Sequence, residues 1–346
     1  MTDKIKMLAL SVTGQCNLAC VYCYAFEHNK NMMSVDTALK AVDLAAQSQE
    51  RFVLQFTGGE PLLNFPCVKA VIAYVKANKI NCAMQLQTNG TVLTHEIAEY
   101  LYTNGCGIGI SLDGRPAIND KMRKLSDGKG ATNEILKGFA VLQEMGLGCG
   151  VTCVVSEDNV DSLSGIVDMA VYLGNVKRLG FDLLRGQGRG TKVLPASAQK
   201  VSKAIQETYE KAALFRQQIG FELQFSQLER VKVLQQNAME CFGHCYAMNG
   251  QAAFVDAQGN IYACSSFVGD KEFYLGNVES GIVQEKRQKI AEKIKASMQF
   301  CFSCEEFPLC GGGCYARWYG SNTDGAYATE CALKKASIQW FKEHNH

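Results

Sequence analysis

The sequence has no apolar run long enough to cross a membrane and no excess of charge of either sign. A membrane-spanning helix needs roughly 18 consecutive apolar residues, whereas the N-terminal apolar stretch 7–12 is interrupted by Gly14 and Gln15 and is too short for a signal-peptide core. The formal net charge is +1, from 35 basic and 34 acidic residues, so nucleic acid is not indicated as a partner. We therefore expect a cytoplasmic protein that binds neither membrane nor nucleic acid.

The composition is that of a globular protein with one unusual component. Of the 346 residues, 47% are hydrophobic and 20% are charged, which suits one large and one smaller domain with buried cores. Sixteen residues are cysteine. Without a signal peptide the chain is expected to stay in a reducing compartment, where clustered cysteines indicate metal binding instead of disulfides.

Repeated strand and helix patterns organise the first two thirds of the chain. A short apolar or β-branched run is followed by an amphipathic helical stretch about six times, which predicts an α/β fold with a partial (β/α)6 barrel resembling a TIM barrel. Helices are predicted at 35–47 and, leading out of the barrel, at 196–218 and 227–238. The predicted strands are 6–12, 52–57, 84–87, 107–112, 148–155 and 178–184.

The most unusual residues follow the first four predicted strands. Loops at the C-terminal ends of barrel strands converge on one face, so these four signals predict a single active-site pocket. The signals are Cys16, Cys20 and Cys23 after the first strand, Gly58 to Pro61 after the second, Gln87 to Gly90 at the end of the third and Ser111 to Gly114 at the end of the fourth.

A change in composition marks a second domain. Beyond Met239 the chain is rich in cysteine, glycine and aromatic residues and has no further strand and helix repeat. We therefore predict a barrel domain over residues 1–235 and a cysteine-rich domain over residues 236–346.

The first cysteine group contains three thiols in the spacing Cys16-x3-Cys20-x2-Cys23. Three thiolates can hold three irons of a 4Fe-4S cubane and leave the fourth iron open to another ligand. A zinc site completed by a distant residue such as His28 is the alternative. The spacing, with an aromatic residue before the last cysteine, resembles the signature of the radical S-adenosylmethionine (SAM) superfamily. The resemblance implies that SAM chelates the open iron and is cleaved to a 5'-deoxyadenosyl radical.

The glycine pair after the second predicted strand adds to this interpretation. Gly58 and Gly59 allow close approach of a ligand to the backbone, and Glu60 offers a carboxylate to a ligand ammonium group. A plain turn is the alternative. The motif resembles the Gly-Gly-Glu element of the same superfamily, which holds the methionine amino group of SAM.

Four more residues are candidates for SAM binding. Ser111 and Asp113 can offer a hydroxyl and a carboxylate to the ribose or methionine end, and Tyr22 can lie against the adenine, as the resemblance implies. A turn at residues 111–114 and core packing of Tyr22 are the alternatives. Arg123 occupies a position where relatives carry an arginine after a His-Asp pair, although the histidine is replaced by Asn119 in this chain.

The second cysteine group consists of Cys245, Cys264, Cys301, Cys304, Cys310, Cys314 and Cys331, with Cys241 as an eighth. The spacing of the seven resembles that of the SPASM domain in every interval. Eight thiolates can close two 4Fe-4S cubanes completely, so that these clusters serve electron transfer or structure; two four-cysteine zinc sites are the alternative. The family pattern implies three 4Fe-4S clusters in all. It assigns Cys241, Cys245, Cys264 and Cys314 to the nearer auxiliary cluster, and Cys301, Cys304, Cys310 and Cys331 to the farther one. The five remaining cysteines are predicted to be small buried hydrophobic residues: Cys67, Cys82, Cys106, Cys149 and Cys153.

Members of the SPASM subgroup modify peptides or proteins, so the resemblance implies a radical SAM oxidoreductase with such a substrate. Anaerobic sulfatase maturases carry a catalytic aspartate at the position of Ser265, and this difference favours a thioether-forming maturase of ribosomally made peptides over a sulfatase maturase. The predicted mechanism is hydrogen abstraction from a peptide carbon by the deoxyadenosyl radical, with the auxiliary clusters accepting the remaining electron. The non-enzymatic alternative is an iron-sulfur electron carrier or a zinc-stabilised interaction protein.

Partners and further contacts follow from this interpretation. We expect a peptide or protein substrate and an external electron donor such as flavodoxin or ferredoxin. Only fifteen residues precede Cys16, so we expect peptide capture to use the barrel mouth, the SPASM surface or a separate leader-binding protein. Asp182 and Arg185, near the end of the sixth strand, are candidates for substrate or cofactor contact, with a surface ion pair as the alternative.

Overall fold

The computed structural model describes residues 4–237, 245–317, 319 and 327–344. The chain divides into two compact units. The first unit contains Met1–Asn17, Tyr24–Gly109 and Cys245–Ser297, and the second contains Leu18–Cys23, Ile110–His244 and Met298–His346.

Strands and helices alternate along most of the described chain. The strands are β1 (Met7–Thr13), β2 (Phe52–Gly58), β3 (Cys82–Thr88), β4 (Cys106–Ser111), β5 (Cys149–Val155), β6 (Val176–Leu183), β7 (Gln224–Phe225), β8 (Ala252–Val255), β9 (Asn260–Tyr262), β10 (Tyr274–Asn277) and β11 (Gly281–Ile282). The α-helices are α1 (Val35–Ala46), α2 (Phe65–Ala77), α3 (His95–Thr103), α4 (Pro116–Met122), α5 (Thr132–Glu144), α6 (Gly165–Leu173), α7 (Ala198–Ile219), α8 (Ser226–Asn237), α9 (Gln284–Ala296), α10 (Phe307–Cys310) and α11 (Ala328–His344).

The first unit is built on parallel strands. β1 pairs in parallel with β2 and with β8, and β2 pairs in parallel with β3. Apolar residues at every second position are fully buried, as in Leu8 and Leu10 of β1 and Leu54 and Phe56 of β2, because alternate side chains of a strand point to the same face. An antiparallel meander of β8, β9, β10 and β11 continues this sheet.

Helix α1 shows how local sequence sets the elements of the first unit. The hydroxyl of Ser34 accepts a hydrogen bond from Thr37 N and caps the first turn. Ala38, Ala41 and Val42 lie on one side of the helix at the three- and four-residue spacing of a buried helical face, and all are fully buried. The small alanines let the helix pack closely.

The second unit combines parallel strands with long helices. β5 pairs in parallel with β6, and β6 with β7. Helix α7 ends at Ile219 and is capped by Gly220, whose left-handed φ of 70° suits glycine. Residues of α8 and α11 form a common apolar cluster of Val231, Ile338 and Phe341.

The structure confirms all six predicted strands and the predicted helices at 35–47, 196–218 and 227–238, with ends that differ by a few residues. It adds β8, a parallel neighbour of β1, and the meander that follows, neither of which the sequence pattern predicted. No helix in the described ranges is long and apolar enough to span a membrane. The boundary near residue 235 stays a prediction.

Candidate functional site

The glycine pair at the end of β2 lies against the segment that leads from β1 to Cys16. Gly59 N donates to Thr13 O at 2.7 Å, and Glu60 N donates to Gln15 O at 2.8 Å. A Cβ on Gly58 would lie 2.1 Å from Thr13 O, and one on Gly59 would lie 2.1 Å from Gln15 O. Only glycine permits this approach, so the motif has a structural role in placing the backbone before Cys16.

Glu60 is fully buried, and its carboxylate accepts three hydrogen bonds. Its Oε1 accepts from Leu62 N and from the Thr88 hydroxyl at 2.6 Å, and its Oε2 accepts from Asn89 N at 2.7 Å. Burial raises the pKa of Glu60 to about 7, although these hydrogen bonds lower it in part. A cation bound nearby would favour the charged form, so the carboxyl fits an ammonium ligand.

Asn89 connects the end of β3 to the first cysteine. Its Nδ2 lies 3.8 Å from Cys16 Sγ and donates to Asn17 Oδ1 at 2.9 Å. The sequence indicated residues 87–90 as a group but did not single out this contact. Within the first unit, the ends of β2 and β3 therefore fix the position of Cys16.

Cys20 and Cys23 belong to the second unit, where a distant arginine holds their loop. Arg189 Nε donates to Cys20 O at 2.8 Å, and Arg189 N donates to Cys23 O at 3.0 Å. Sequence reasoning did not identify Arg189, because it lies 169 residues from Cys20 along the chain. Cys16 is exposed, whereas Cys20 and Cys23 are half-buried.

Tyr22, Asp113 and Arg123 bind one another in the second unit. The Tyr22 hydroxyl donates to Asp113 Oδ2 at 2.5 Å, and Arg123 Nε lies 2.9 Å from the same oxygen. Asp113 Oδ1 accepts from Val154 N at 2.8 Å. Tyr22 also packs against Met122, and burial raises its pKa well above the usual value. The predicted contacts of these three residues with SAM stay predictions, as does that of the half-buried Ser111 at the end of β4.

Asp182 and Arg185 belong to a larger cluster of charges. Asp182 pairs with Arg185 at 3.0 Å and with Arg317, which also pairs with the buried Glu330. Burial raises the pKa of Asp182, but the two arginines lower it below the usual value. Arg317, three residues after Cys314, was not identified from the sequence. The cluster joins the end of β6 to two cysteine-bearing segments.

Four cysteines of the second unit lie close together. Burial, with Cys310, Cys331 and Cys304 adding to it, raises the pKa of Cys301 to about 12. Four thiolates that repel one another would be stabilised by the cationic iron-sulfur core of a cluster. Cys314 lies in the same unit, Cys245 and Cys264 lie in the first unit, and Cys241 lies outside the described residues.

The described cysteines form no disulfide. Among described residues, no three Cys, His, Asp or Glu side chains are close enough to hold a single metal ion. Burial is confirmed for four of the five remaining cysteines, and Cys82 is half-exposed at the start of β3; the buried ones are Cys67, Cys106, Cys149 and Cys153.

Comparison with other sequences identifies relatives along most of the chain. Uncharacterized protein MJ0907 of Methanocaldococcus jannaschii is 32% identical over 92% of this chain and 97% of its own length. Fe-coproporphyrin III synthase of Methanosarcina barkeri is 30% identical over 60% of this chain and 52% of its own. The cysteine-type anaerobic sulfatase-maturating enzyme of Clostridium novyi is 24% identical over 90% of this chain and 87% of its own.

Solved structures share the fold. Native anSMEcpe with bound AdoMet and Cp18Cys peptide matches with a TM-score of 0.77, at 20% identity, over 98% of this chain and 96% of that one. Streptococcus suis SuiB bound to precursor peptide SuiA matches with a TM-score of 0.69, at 16% identity, over 93% and 74%. The fold is therefore the predicted α/β partial barrel with a C-terminal domain.

The family model for the radical SAM superfamily matches residues 10–170. Membership of this family implies a 4Fe-4S cluster and SAM. The matched residues contain the three-cysteine group, the buried Glu60 and the glycines that place it. The chain belongs to the radical SAM superfamily.

Proposed function

We propose that this radical SAM enzyme crosslinks a ribosomally made peptide by forming a thioether between a cysteine sulfur and an unactivated carbon. The observation that carries the radical chemistry is the buried carboxyl of Glu60, held at the end of β2 by the backbone contacts of Gly58 and Gly59, in a chain that also has the three-cysteine motif. A carrier of electrons needs neither an open iron nor a site for an ammonium group.

Each group of residues has a separate role in the proposed reaction. Cys16, Cys20 and Cys23 would hold the cluster that binds SAM, and Glu60 would accept the SAM ammonium group. When bound, the cluster and SAM supply a radical that removes hydrogen from carbon, and two auxiliary clusters of a SPASM domain supply an electron acceptor. The barrel would orient the peptide and exclude water from the reacting carbon.

The proposed peptide substrate rests on the relatives. The solved structures of similar fold include one with a bound Cp18Cys peptide and one with the precursor peptide SuiA. The thioether rests on Ser265, which begins a short 3-10 helix directly after Cys264 at the position where sulfatase maturases have an aspartate. A flavodoxin or ferredoxin would provide the first electron, and a separate protein would bind a leader peptide.

The test is anaerobic incubation of the enzyme with SAM, a reductant and a cysteine-containing peptide encoded beside its gene, followed by mass spectrometry. A thioether removes one hydrogen from sulfur and one from carbon, so the product should be about two mass units lighter and should resist both thiol reduction and alkylation at one cysteine. Thiols that return on reduction would show a disulfide instead. Conversion of one cysteine to an aldehyde without a crosslink would favour sulfatase maturation.

A further inference from the structure

The side chain of Asn89, directly after β3, has an orientation fixed by its neighbours. Its Oδ1 accepts from Thr91 N at 2.9 Å and from the Thr91 hydroxyl at 2.7 Å. A backbone N–H can only donate, so the amide atom that faces it is the oxygen. The amide nitrogen therefore faces Cys16 and Asn17.

Both hydrogens of this amide nitrogen have an acceptor within reach. Nδ2 donates to Asn17 Oδ1 at 2.9 Å and lies 3.8 Å from Cys16 Sγ, an atom larger than oxygen and so approached at a longer distance. Asn17 Nδ2 in turn donates to the Thr91 hydroxyl at 2.7 Å and closes a ring of three side chains. The ring uses one hydrogen of Asn89 Nδ2 and leaves the other for the sulfur.

The backbone of Asn89 is held in place as well. Its N–H donates to Glu60 Oε2 at 2.7 Å, and the next residue, Gly90, donates its N–H to the Thr88 hydroxyl at 3.0 Å. Asn89 is 7% exposed, so water competes little for its amide. The donor is thus preorganised towards the sulfur and needs no rearrangement when charge develops there.

The charge on the sulfur decides what such a donor does. When a cluster gains one electron, its thiolate ligands become more negative, and a hydrogen bond from a fixed N–H becomes stronger. Hydrogen bonds to the sulfurs are one of the features that set the reduction potential of an iron-sulfur cluster. A donor to a ligand thiolate favours the reduced state and raises this potential.

We propose that Asn89 is a positioning residue that donates a hydrogen bond to the Cys16 thiolate and thereby raises the reduction potential of the cluster that cleaves SAM. The inference rests on Cys16 as a cluster ligand, which is part of the proposed function, and is independent of the substrate and of the bond formed. Asn89 also joins this thiolate to Glu60, the carboxyl proposed to hold the SAM ammonium group.

The test is a redox titration of the anaerobically reconstituted full-length enzyme, reduced stepwise with europium(II) and followed by electron paramagnetic resonance. The signal that changes when SAM is added identifies the SAM-binding cluster. At the potential that half reduces this cluster in the wild type, Asn89→Ala should lower the ratio of reduced to oxidised cluster at least threefold, or about 28 mV at 59 mV per tenfold. Asn89→Asp keeps the acceptor for Thr91 but has no N–H, so it should lower the ratio at least as far.

Asn64→Ala is the matched control. Asn64 Nδ2 also makes two hydrogen bonds in the first unit, to Val12 O at 2.8 Å and to Met33 O at 3.0 Å, and neither acceptor belongs to a cysteine. This variant should leave the ratio unchanged. An equal shift in Asn64→Ala would show a general structural effect and overturn the proposal. An unchanged ratio in Asn89 variants that keep the iron of the wild type would overturn it too.

A measurement on the wild type decides if both Asn89 variants lose iron. Enzyme whose asparagine side chains carry the heavy nitrogen isotope should show a coupling of that nitrogen to the unpaired electron of the reduced SAM-binding cluster, and absence of the coupling refutes the proposal. Changing Cys16, Cys20 and Cys23 to alanine separates the two claims. A SAM-responsive signal that survives this change refutes the ligand assignment, whereas loss of the signal together with an unchanged ratio in the Asn89 variants refutes only the role of Asn89.

Discussion

Replacing Asp113 by Asn tests whether the contacts of this residue are structural. Asp113 is fully buried, and its carboxylate lies 2.9 Å from the guanidinium of the buried Arg123. Removing one partner of a buried ion pair leaves the other charge unpaired, which costs about 3–5 kcal/mol. Asp113→Asn and Arg123→Leu should each lower the free energy of unfolding by about this amount. The double variant should lose less than the sum, with a coupling energy of about 2–3 kcal/mol.

The assay is urea denaturation of the SAM-free protein under anaerobic conditions, followed by circular dichroism. Unfolding midpoints are compared between variants whose unfolding free energy falls with urea concentration at the same slope. The control is Arg216→Leu, which removes an ion pair with Glu222 whose side chains are 71% and 73% exposed. Such a pair contributes about 0–1 kcal/mol. If Asp113→Asn cost no more than this control while weakening SAM binding, Asp113 would serve the cofactor and the structural reasoning would be refuted.

Three further outcomes follow from the site. Because the folded pKa of Glu60 is raised to about 7 from 4.5, its contribution to stability is present below pH 4.5 and is lost as the pH rises through 7. Urea denaturation of SAM-free protein should show a loss of about 3 kcal/mol over this range, which Glu60→Gln should lack. Gly59→Ala should abolish deoxyadenosine release, which chromatography measures, because the added Cβ would lie 2.1 Å from Gln15 O. The control Gly186→Ala should retain the release, since a Cβ at Gly186 would have no heavy atom within 4 Å. Arg317→Gln should destabilise the protein by about 3 kcal/mol, since it removes the charge that pairs with Asp182 and with the buried Glu330. Thermal unfolding measures this loss, and Arg317→Lys should restore part of it.

The parts of the fold that sequence reasoning predicted are those with strong local periodicity. Leu8 and Leu10 alternate with the partly exposed Met7 and Ala9, and Ala38, Ala41 and Val42 recur at helical spacing. These elements therefore follow from neighbouring residues alone. Strand β8 has four residues within a region rich in cysteine and glycine, and its partner β1 lies far away in the sequence. Local periodicity cannot identify such a pairing.

Sequence reasoning also identified some residues of the candidate site and missed others. Cys16, Cys20, Cys23 and Glu60 stand in short motifs whose spacing carries chemical information. Arg189 and Arg317 do not, because each acts on a residue more than a hundred positions away, Cys20 for Arg189 and Asp182 for Arg317. For Asp113 the motif indicated a polar residue at a strand end, but its hydrogen bonds with Tyr22 and Val154 depend on tertiary packing.

The central claim is that Cys16, Cys20 and Cys23 hold the cluster that cleaves SAM and that other cysteines hold two more. The most direct measurement is the iron content and the deoxyadenosine release of anaerobically reconstituted protein. The wild type should contain about twelve irons per chain, and the variant with all three cysteines changed to alanine should contain about eight and release no deoxyadenosine. Cys149→Ala, at a buried cysteine outside both groups, should match the wild type. Normal deoxyadenosine release from the triple variant, or stoichiometric zinc with little iron in the wild type, would contradict the account.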